Sequence, residues 1–436
     1  MSASKPAIST VPIRAGWRGT VQSLREEPSQ RIFSGSVIML IGSTLVSVLN
    51  FAYNVAVARL LGPAEFGHSS AAVTLLMLAS AITLSFQLVC AKFVARNQDP
   101  GAKAEVYRTL HRRAWLVGIL LGSGLVFASA PVSWYLRLPT PWIVILLGMS
   151  IAFYVPLGVK RGGLQGTCAF GRLSANFILE AGVRLVGAMV LVRLGFGVLG
   201  AVAAIAASVV IAYLFPLRNR LLEAEPHESI PASFGEGMQV IVFFVGQVLI
   251  NNVDILLVKH FFLPQDAGLY AAVALVGRVL YFATWSVVSA MYPISAGTKP
   301  REESRSVLVV PLLFVLFIGV GFILLLGLVP GFVIKSLFGA DFWQARWLLS
   351  LYAAATGVYT LSVVLLAYEM SRKIAKTGWL QLVFSGLVVA GIYLFHDSLQ
   401  QVIVVQLVLM VLLLIVVARP FFRSRKTVAS SWQEAA

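Results

Sequence analysis

The chain has 436 residues, 58% of them hydrophobic and only 12% charged, with a mean hydropathy of +0.87. A soluble protein carries roughly 25% charged residues, so a water-soluble globular fold is excluded, and the recurrent apolar runs read as membrane spans of about 20 residues each. The net charge of +16 calls for no nucleic-acid partner, because positive charge gathered in one set of loops is what membrane orientation produces.

Residues 1–31 are polar and form a cytoplasmic N-terminal segment, within which 17–24 (WRGTVQSL) suits a short interfacial helix or a tail. The apolar run that follows is too long for a signal-peptide core of about 7–15 residues and reads as a retained first span. Six spans are predicted near 33–58, 67–91, 114–136, 141–159, 173–192 and 196–216, with Pro156 expected to kink the fourth. A mixed-charge linker at 217–235 follows, then six more spans near 237–261, 267–292, 306–329, 347–369, 377–395 and 399–418, and a tail at 420–436. The expectation is an all-α polytopic membrane protein with about twelve transmembrane helices, in an N-terminal lobe over 32–216 and a C-terminal lobe over 236–419.

Of the 34 Lys and Arg residues, 26 fall in the termini and in the loops on the same side, 92–113 foremost, and six on the other side; Arg184 and Arg278 lie inside spans. That asymmetry places both termini in the cytoplasm. Lys160 and Arg161, at the cytoplasmic end of the fourth span, read as ordinary orientation charges, and Glu369 as interfacial beside Arg372 and Lys373.

The two halves share a plan. NFAYNVAVARLLGPAEFGHSSAA from Asn50 returns as NNVDILLVKHFFLPQDAGLYAAV from Asn251. At a constant offset of 201 residues Asn50 pairs with Asn251, Pro63 with Pro264, Glu65 with Asp266 and Gly67 with Gly268. Six spans per half start both lobes on the same side, so the repeat is parallel, about an axis along the membrane normal, and leaves a cleft suited to alternating access.

Ionisable residues inside spans are costly and tend to face a partner or a cavity. Asp254 shares a helix face with Gln247 and Asn251, and the first span carries the related stripe Ser43, Ser47, Asn50 and Asn54. The asparagines either line the central cavity or bond between helices. Arg278 either binds phosphate oxygens through its planar fork or neutralises Asp254. Glu180 and Arg184, spaced i, i+4, either form an internal ion pair or serve as a coupling site and a cavity cation; at the repeat offset stand the uncharged Gln381 and Ser385. The candidate substrate-binding residues are thus Arg184, Arg278, Asn50, Asn54 and Asn251, and the candidate ion-coupling residues Asp254 and Glu180. Cys90 and Cys168 have no metal-ligand spacing and read as apolar packing residues. No cofactor, metal site or enzyme constellation is expected.

ARLLGPAEFG with its echo FFLPQDAGLY, and KRGGLQGTCAFGRLSANFILEAGVRLV across the fourth and fifth spans, resemble the polysaccharide-biosynthesis flippases of the multidrug/oligosaccharidyl-lipid/polysaccharide exporter superfamily. The resemblance covers nearly the whole chain. It implies two six-helix lobes in a V around a cationic cavity, in the bacterial inner membrane. It also implies transport of an undecaprenyl-diphosphate-linked oligosaccharide from the cytoplasmic to the outer leaflet, coupled to a proton or sodium gradient. Implied partners are the polyprenyl-diphosphate glycan, membrane lipids, glycosyltransferases and a polysaccharide polymerase. An ion-coupled exporter of small molecules or drugs is the alternative.

Overall fold

The computed structural model describes residues 28–216, 234–284, 287–288, 303–371 and 377–433, which are helical with short connections. Segment 17–24 and nearly all of the linker at 217–235 lie outside them. The first lobe holds α1 (Pro28–Arg96), α2 (Pro100–Phe127), α3 (Ser129–Tyr135), α4 (Trp142–Gly166), α5 (Phe170–Leu191) and α6 (Gly197–Leu214). The second holds α7 (Phe234–Phe261), α8 (Pro264–Gly277), α9 (Glu303–Leu328), α10 (Pro330–Leu337), α11 (Leu349–Ser371), α12 (Thr377–Leu394) and α13 (Leu399–Gln433).

Among the described residues, eight helices are long and apolar enough to cross a membrane. Two have double length: 37–96 covers 60 residues and 170–214 covers 45, against about 20 per crossing. Each is broken by a glycine of positive φ, Gly62 at 74° and Gly195 at 92°, a conformation that costs glycine little. The pair α2 and α3, bent by 62°, and the shorter apolar helix Trp379–Leu394 complete the expected twelve. Two boundaries differ from the sequence reading. The third span begins with α2 at Pro100, capped by the Asp99 carboxylate on the Ala102 amide, so most of the basic stretch 92–113 is helix rather than loop. Helix α4 also runs on through Pro156 to Gly166, past the end expected near 159.

Lipid supplies no hydrophobic force between helices, so close backbone contact must do the packing. Helix α4 carries Gly158, Gly162 and Gly166 along the face that meets the second arm of α1; a Cβ on Gly166 would stand 2.8 Å from the Ala91 carbonyl oxygen. On another face Gly118 of α2 approaches the Ala152 carbonyl. This sandwich fixes the rotation of α4 and carries Arg161, next to Gly162, towards α5.

The two Pro-Gly corners of the repeat pack on each other. A Cβ on Gly67 would meet the Pro264 carbonyl oxygen at 2.7 Å, and one on Gly268 would run into the Pro63 carbonyl oxygen. Since Gly67 matches Gly268 and Pro63 matches Pro264, the contact is reciprocal, as a two-fold interface requires. Around it the lobes are knitted together. Phe66 meets Phe338 and Phe342 at ring-centroid distances of 6.4 and 6.0 Å. Arg59 donates to the carbonyls of Leu337 and Ser336. Tyr135 and Tyr393 share a 2.6 Å hydroxyl contact, and the His260 ring stacks on Tyr135 at 3.9 Å. Lys259, counted from sequence among loop charges, is fully buried here with Nζ 3.4 Å from the Arg137 carbonyl. All these contacts lie at the end of the molecule that carries the repeat motifs. Towards the other end, the first arm of α1 leaves Leu40 and Ile41 exposed. The lobes are therefore closed at the motif end.

Candidate functional site

Among the described residues, each lobe buries an ionic cluster. In the first lobe the Glu180 carboxylate is held between two guanidiniums. Arg161 Nη2 lies 2.6 Å from Oε2, and Arg184, one turn further along α5, bonds Oε1. Arg161 is further fixed by Nε to Asn176 Oδ1 at 2.7 Å and by stacking on Phe177 at 4.0 Å; Asn176 in turn donates to the Ala212 carbonyl at 2.8 Å. Arg184 Nη1 reaches Asn50 Oδ1 of α1 at 3.0 Å, and its Nε has no partner. With two cations and one anion the cluster holds a surplus positive charge. Arg184 keeps 14% of its side chain exposed, against 3% for Arg161.

The pairing of Glu180 with Arg184 was legible from their spacing. Arg161 was not, and its reading as an orientation charge is corrected: it is a buried partner of Glu180. Its neighbour Lys160 does sit at a helix end, donating to the carbonyls of Tyr213 and Phe215 at 2.7 Å each, where a cation satisfies orphan acceptors. Glu369 is buried among its neighbours two residues before the end of its helix, and Arg372 and Lys373 lie outside the described residues.

In the second lobe Arg278 stands at an irregular turn just past the last residue of α8. Its Nη2 lies 2.8 Å from Asp254 Oδ1 and its Nη1 3.2 Å from Asn252 Oδ1. The other carboxylate oxygen accepts from the hydroxyls of Tyr270 and Tyr352, both at 2.9 Å. Asp254 is 1% exposed. The pair is thus neutral, hydrogen-bonded and internal to the lobe, which realises the neutralising role for Arg278. A pocket of about 30 Å³ adjoins it, lined by Asn251, Tyr359 and Gln406 among others, large enough to hold water. At the repeat offset Asp254 and Arg278 correspond to Tyr53 and Met77.

The asparagines divide. Asn50 is drawn to Arg184, while Asn54 spends its amide on the Asn50 carbonyl at 2.8 Å. Asn251 donates to the Gln247 carbonyl and to the Tyr359 hydroxyl at 3.3 Å. Gln381, standing where Glu180 stands in the first half, donates to Gln247 Oε1 at 2.8 Å, and Ser385 to the Gly246 carbonyl. Helix α12 thus meets α7 through neutral groups where α5 meets α1 through a cation. Among the described residues no group of three or more His, Cys, Asp or Glu could hold a metal ion.

No curated protein matches the sequence significantly. The fold is similar to several solved membrane transporters. One is the inward-facing conformation of a multidrug resistance MATE family transporter of the MOP superfamily (TM-score 0.70, 14% identity, 92% of this chain and 99% of that one). Others are MATE in complex with MaL6 (TM-score 0.62, 16% identity, 94% and 98%) and a MOP superfamily transporter from Pyrococcus furiosus Vc1 described as having a binding pocket of reverse polarity (TM-score 0.55, 17% identity, 94% and 98%). Residues 56–346 match the family model for polysaccharide biosynthesis proteins. The charge clusters and the reciprocal Pro-Gly seam therefore belong to a member of the polysaccharide biosynthesis protein family, built on the multi-pass fold of the MOP-superfamily transporters.

Proposed function

We propose that the protein is an alternating-access flippase that carries an undecaprenyl-diphosphate-linked oligosaccharide from the inner to the outer leaflet of the bacterial inner membrane, for surface polysaccharide assembly. Both termini are then cytoplasmic, the motif end faces outward, and the lobes, closed at that end, stand ready to load from the cytoplasmic side. The observation that carries this reading is the surplus cation of the first lobe. Arg184 keeps 14% of its side chain exposed while Arg161 holds the other Glu180 oxygen, so its accessible edge can take a phosphate oxygen without breaking the Glu180–Arg161 pair. Arginine suits this because its fork matches paired phosphate oxygens. A site with surplus positive charge repels cationic drugs, which weighs against the exporter reading. Asn50 orients the guanidinium.

Glu180 is the coupling group of this scheme. Its carboxylate balances both guanidiniums, so a change in its charge changes their hold on the diphosphate. Asp254 and Arg278 serve in the second lobe as a fixed polar pair. Glycosyltransferases that build the lipid-linked unit and a polymerase that consumes it are the implied partners.

Arg184→Ala is the test. Glu180 keeps Arg161, so the variant is expected to accumulate at wild-type level in membranes while surface polysaccharide falls at least about tenfold, the loss of one charge-assisted contact worth ~1.5–3 kcal/mol. Surface polysaccharide at wild-type level in the Arg184→Ala strain would remove this assignment.

A further inference from the structure

A larger, mainly apolar cavity with a few polar groups lies at the motif end, outside both ionic clusters. It has a volume of about 660 Å³, and Ser133, Trp134, Tyr135, Arg137 and Leu138 of the first lobe line it with His260 of the second. That size is in the range of sites for small ligands, about 300–1,000 Å³. We infer that this cavity binds a lipid-borne phosphate group at the membrane interface, seated between Arg137 and the Ser133 hydroxyl of the first lobe, with His260 of the second lobe on the facing wall.

Three observations lead there. First, Ser133 is 5% exposed, yet its Oγ finds no hydrogen-bond partner. A buried hydroxyl left unsatisfied is costly, and a phosphate oxygen would satisfy it. Second, the lining holds a cation and no carboxylate: Arg137 is exposed at the cavity, and Lys259 lies buried behind it, against the Arg137 carbonyl. The Arg137 backbone sits at φ 48°, a left-handed conformation uncommon for a residue with a Cβ, and it presents the side chain between α3 and α4. His260 donates its Nδ1 proton to the Tyr135 carbonyl at 2.7 Å, which fixes the opposite wall. Third, the surroundings are interfacial. Helix α3 turns away from α2 by 62°, and Phe127, Trp134 and Trp142 expose 86%, 82% and 61% of their surface around it. Aromatic residues so placed mark the headgroup level of a bilayer, where the phosphates of lipids lie.

Because both lobes contribute walls, the cavity as described exists only while the motif end is closed. A bound phosphate therefore stabilises the closed seam by the difference in its affinity for the two states. The inference needs only that the motif end meets a membrane interface; it stands or falls separately from the oligosaccharide reading.

The test is native mass spectrometry of the purified full-length protein offered phosphatidylglycerol, undecaprenyl phosphate, or a diacylglycerol that lacks phosphate. Wild-type protein is expected to retain one or both phosphate lipids and to lose the diacylglycerol. Arg137→Ala should lower that retention about tenfold, and Ser133→Ala should lower it less, in keeping with one charged and one neutral hydrogen bond. Preference for undecaprenyl phosphate would identify a translocated polyprenyl lipid as the occupant, and equal retention of both a bilayer lipid; each supports the site. Equal retention of phospholipid and diacylglycerol, or Arg137→Ala protein that holds lipid as wild type does, would overturn it. Protection of the buried Cys90 thiol in both variants checks that they are folded.

Discussion

Glu180→Gln is expected to destabilise the folded protein by at least ~3–5 kcal/mol, the cost of breaking a buried pair and leaving its charge uncompensated. Glu180 balances two guanidiniums at once. Glutamine keeps the shape and one acceptor, but removes the only anion in the cluster. Arg161 is then left inside the bundle, 3% exposed, with neutral acceptors alone, Asn176 and the new amide, to face its charge. Arg184 suffers less, because it retains Asn50 and some exposure. The asymmetry gives a rescue: adding Arg161→Met to Glu180→Gln removes the stranded charge and should recover a large part of the loss. Thermal unfolding in detergent, followed by the reaction of Cys90 with a thiol dye in protein carrying Cys168→Ser to remove the exposed thiol, measures both, since Cys90 is fully buried in the folded state. A Glu180→Gln protein as stable as wild type would mean that the triad does not carry its charges in the folded state.

The second large effect concerns the seam. Gly268→Ala places a methyl group on the Pro63 carbonyl oxygen. The obstacle is backbone meeting backbone, so no flexible side-chain tip can move aside. Overpacking of this kind costs about 1–3 kcal/mol, and even ~1.4 kcal/mol shifts a two-state equilibrium tenfold. The lobes are expected to part at the motif end, with the folded structure of each retained. Spin labels at Leu60 and Leu263, both exposed beside the seam, should show a longer distance in Gly268→Ala than in the parent. Gly124→Ala, where a Cβ meets nothing within 4 Å, should leave that distance unchanged. An unaltered distance in Gly268→Ala would mean that the glycine pair is not what lets the lobes close.

Much of this architecture was readable before any coordinates. Apolar runs and the one-sided distribution of basic residues fix the number of crossings, and the 201-residue offset marks the repeat. The ion pairs Glu180–Arg184 and Asp254–Arg278 were each one of two readings open from spacing and from the expense of a lone charge in lipid, and the packing decides for them. What escaped the sequence depended on rotation and docking. Arg161 lies near a helix end, where orientation charges gather, and only the glycine-lined contact of α4 with α1 turns it towards Glu180. Lys259 looks like a loop charge because sequence cannot show the first lobe's Arg137 carbonyl arriving over it. That Gly67 and Gly268 touch each other could have been suspected from one signal: both repeats keep a glycine one turn past the proline, where a solitary corner has no need of it.

The most direct test of the flippase reading is translocation by purified protein in liposomes. A polyprenyl-diphosphate oligosaccharide carrying a fluorescent sugar is placed in both leaflets, and a membrane-impermeant reagent that destroys the fluorophore is added outside under an imposed proton or sodium gradient. The account predicts that wild-type protein makes the inner pool accessible faster than protein-free liposomes, and that Arg184→Ala protein does not. Accessibility in wild-type vesicles no faster than in protein-free ones, under either gradient, would contradict it.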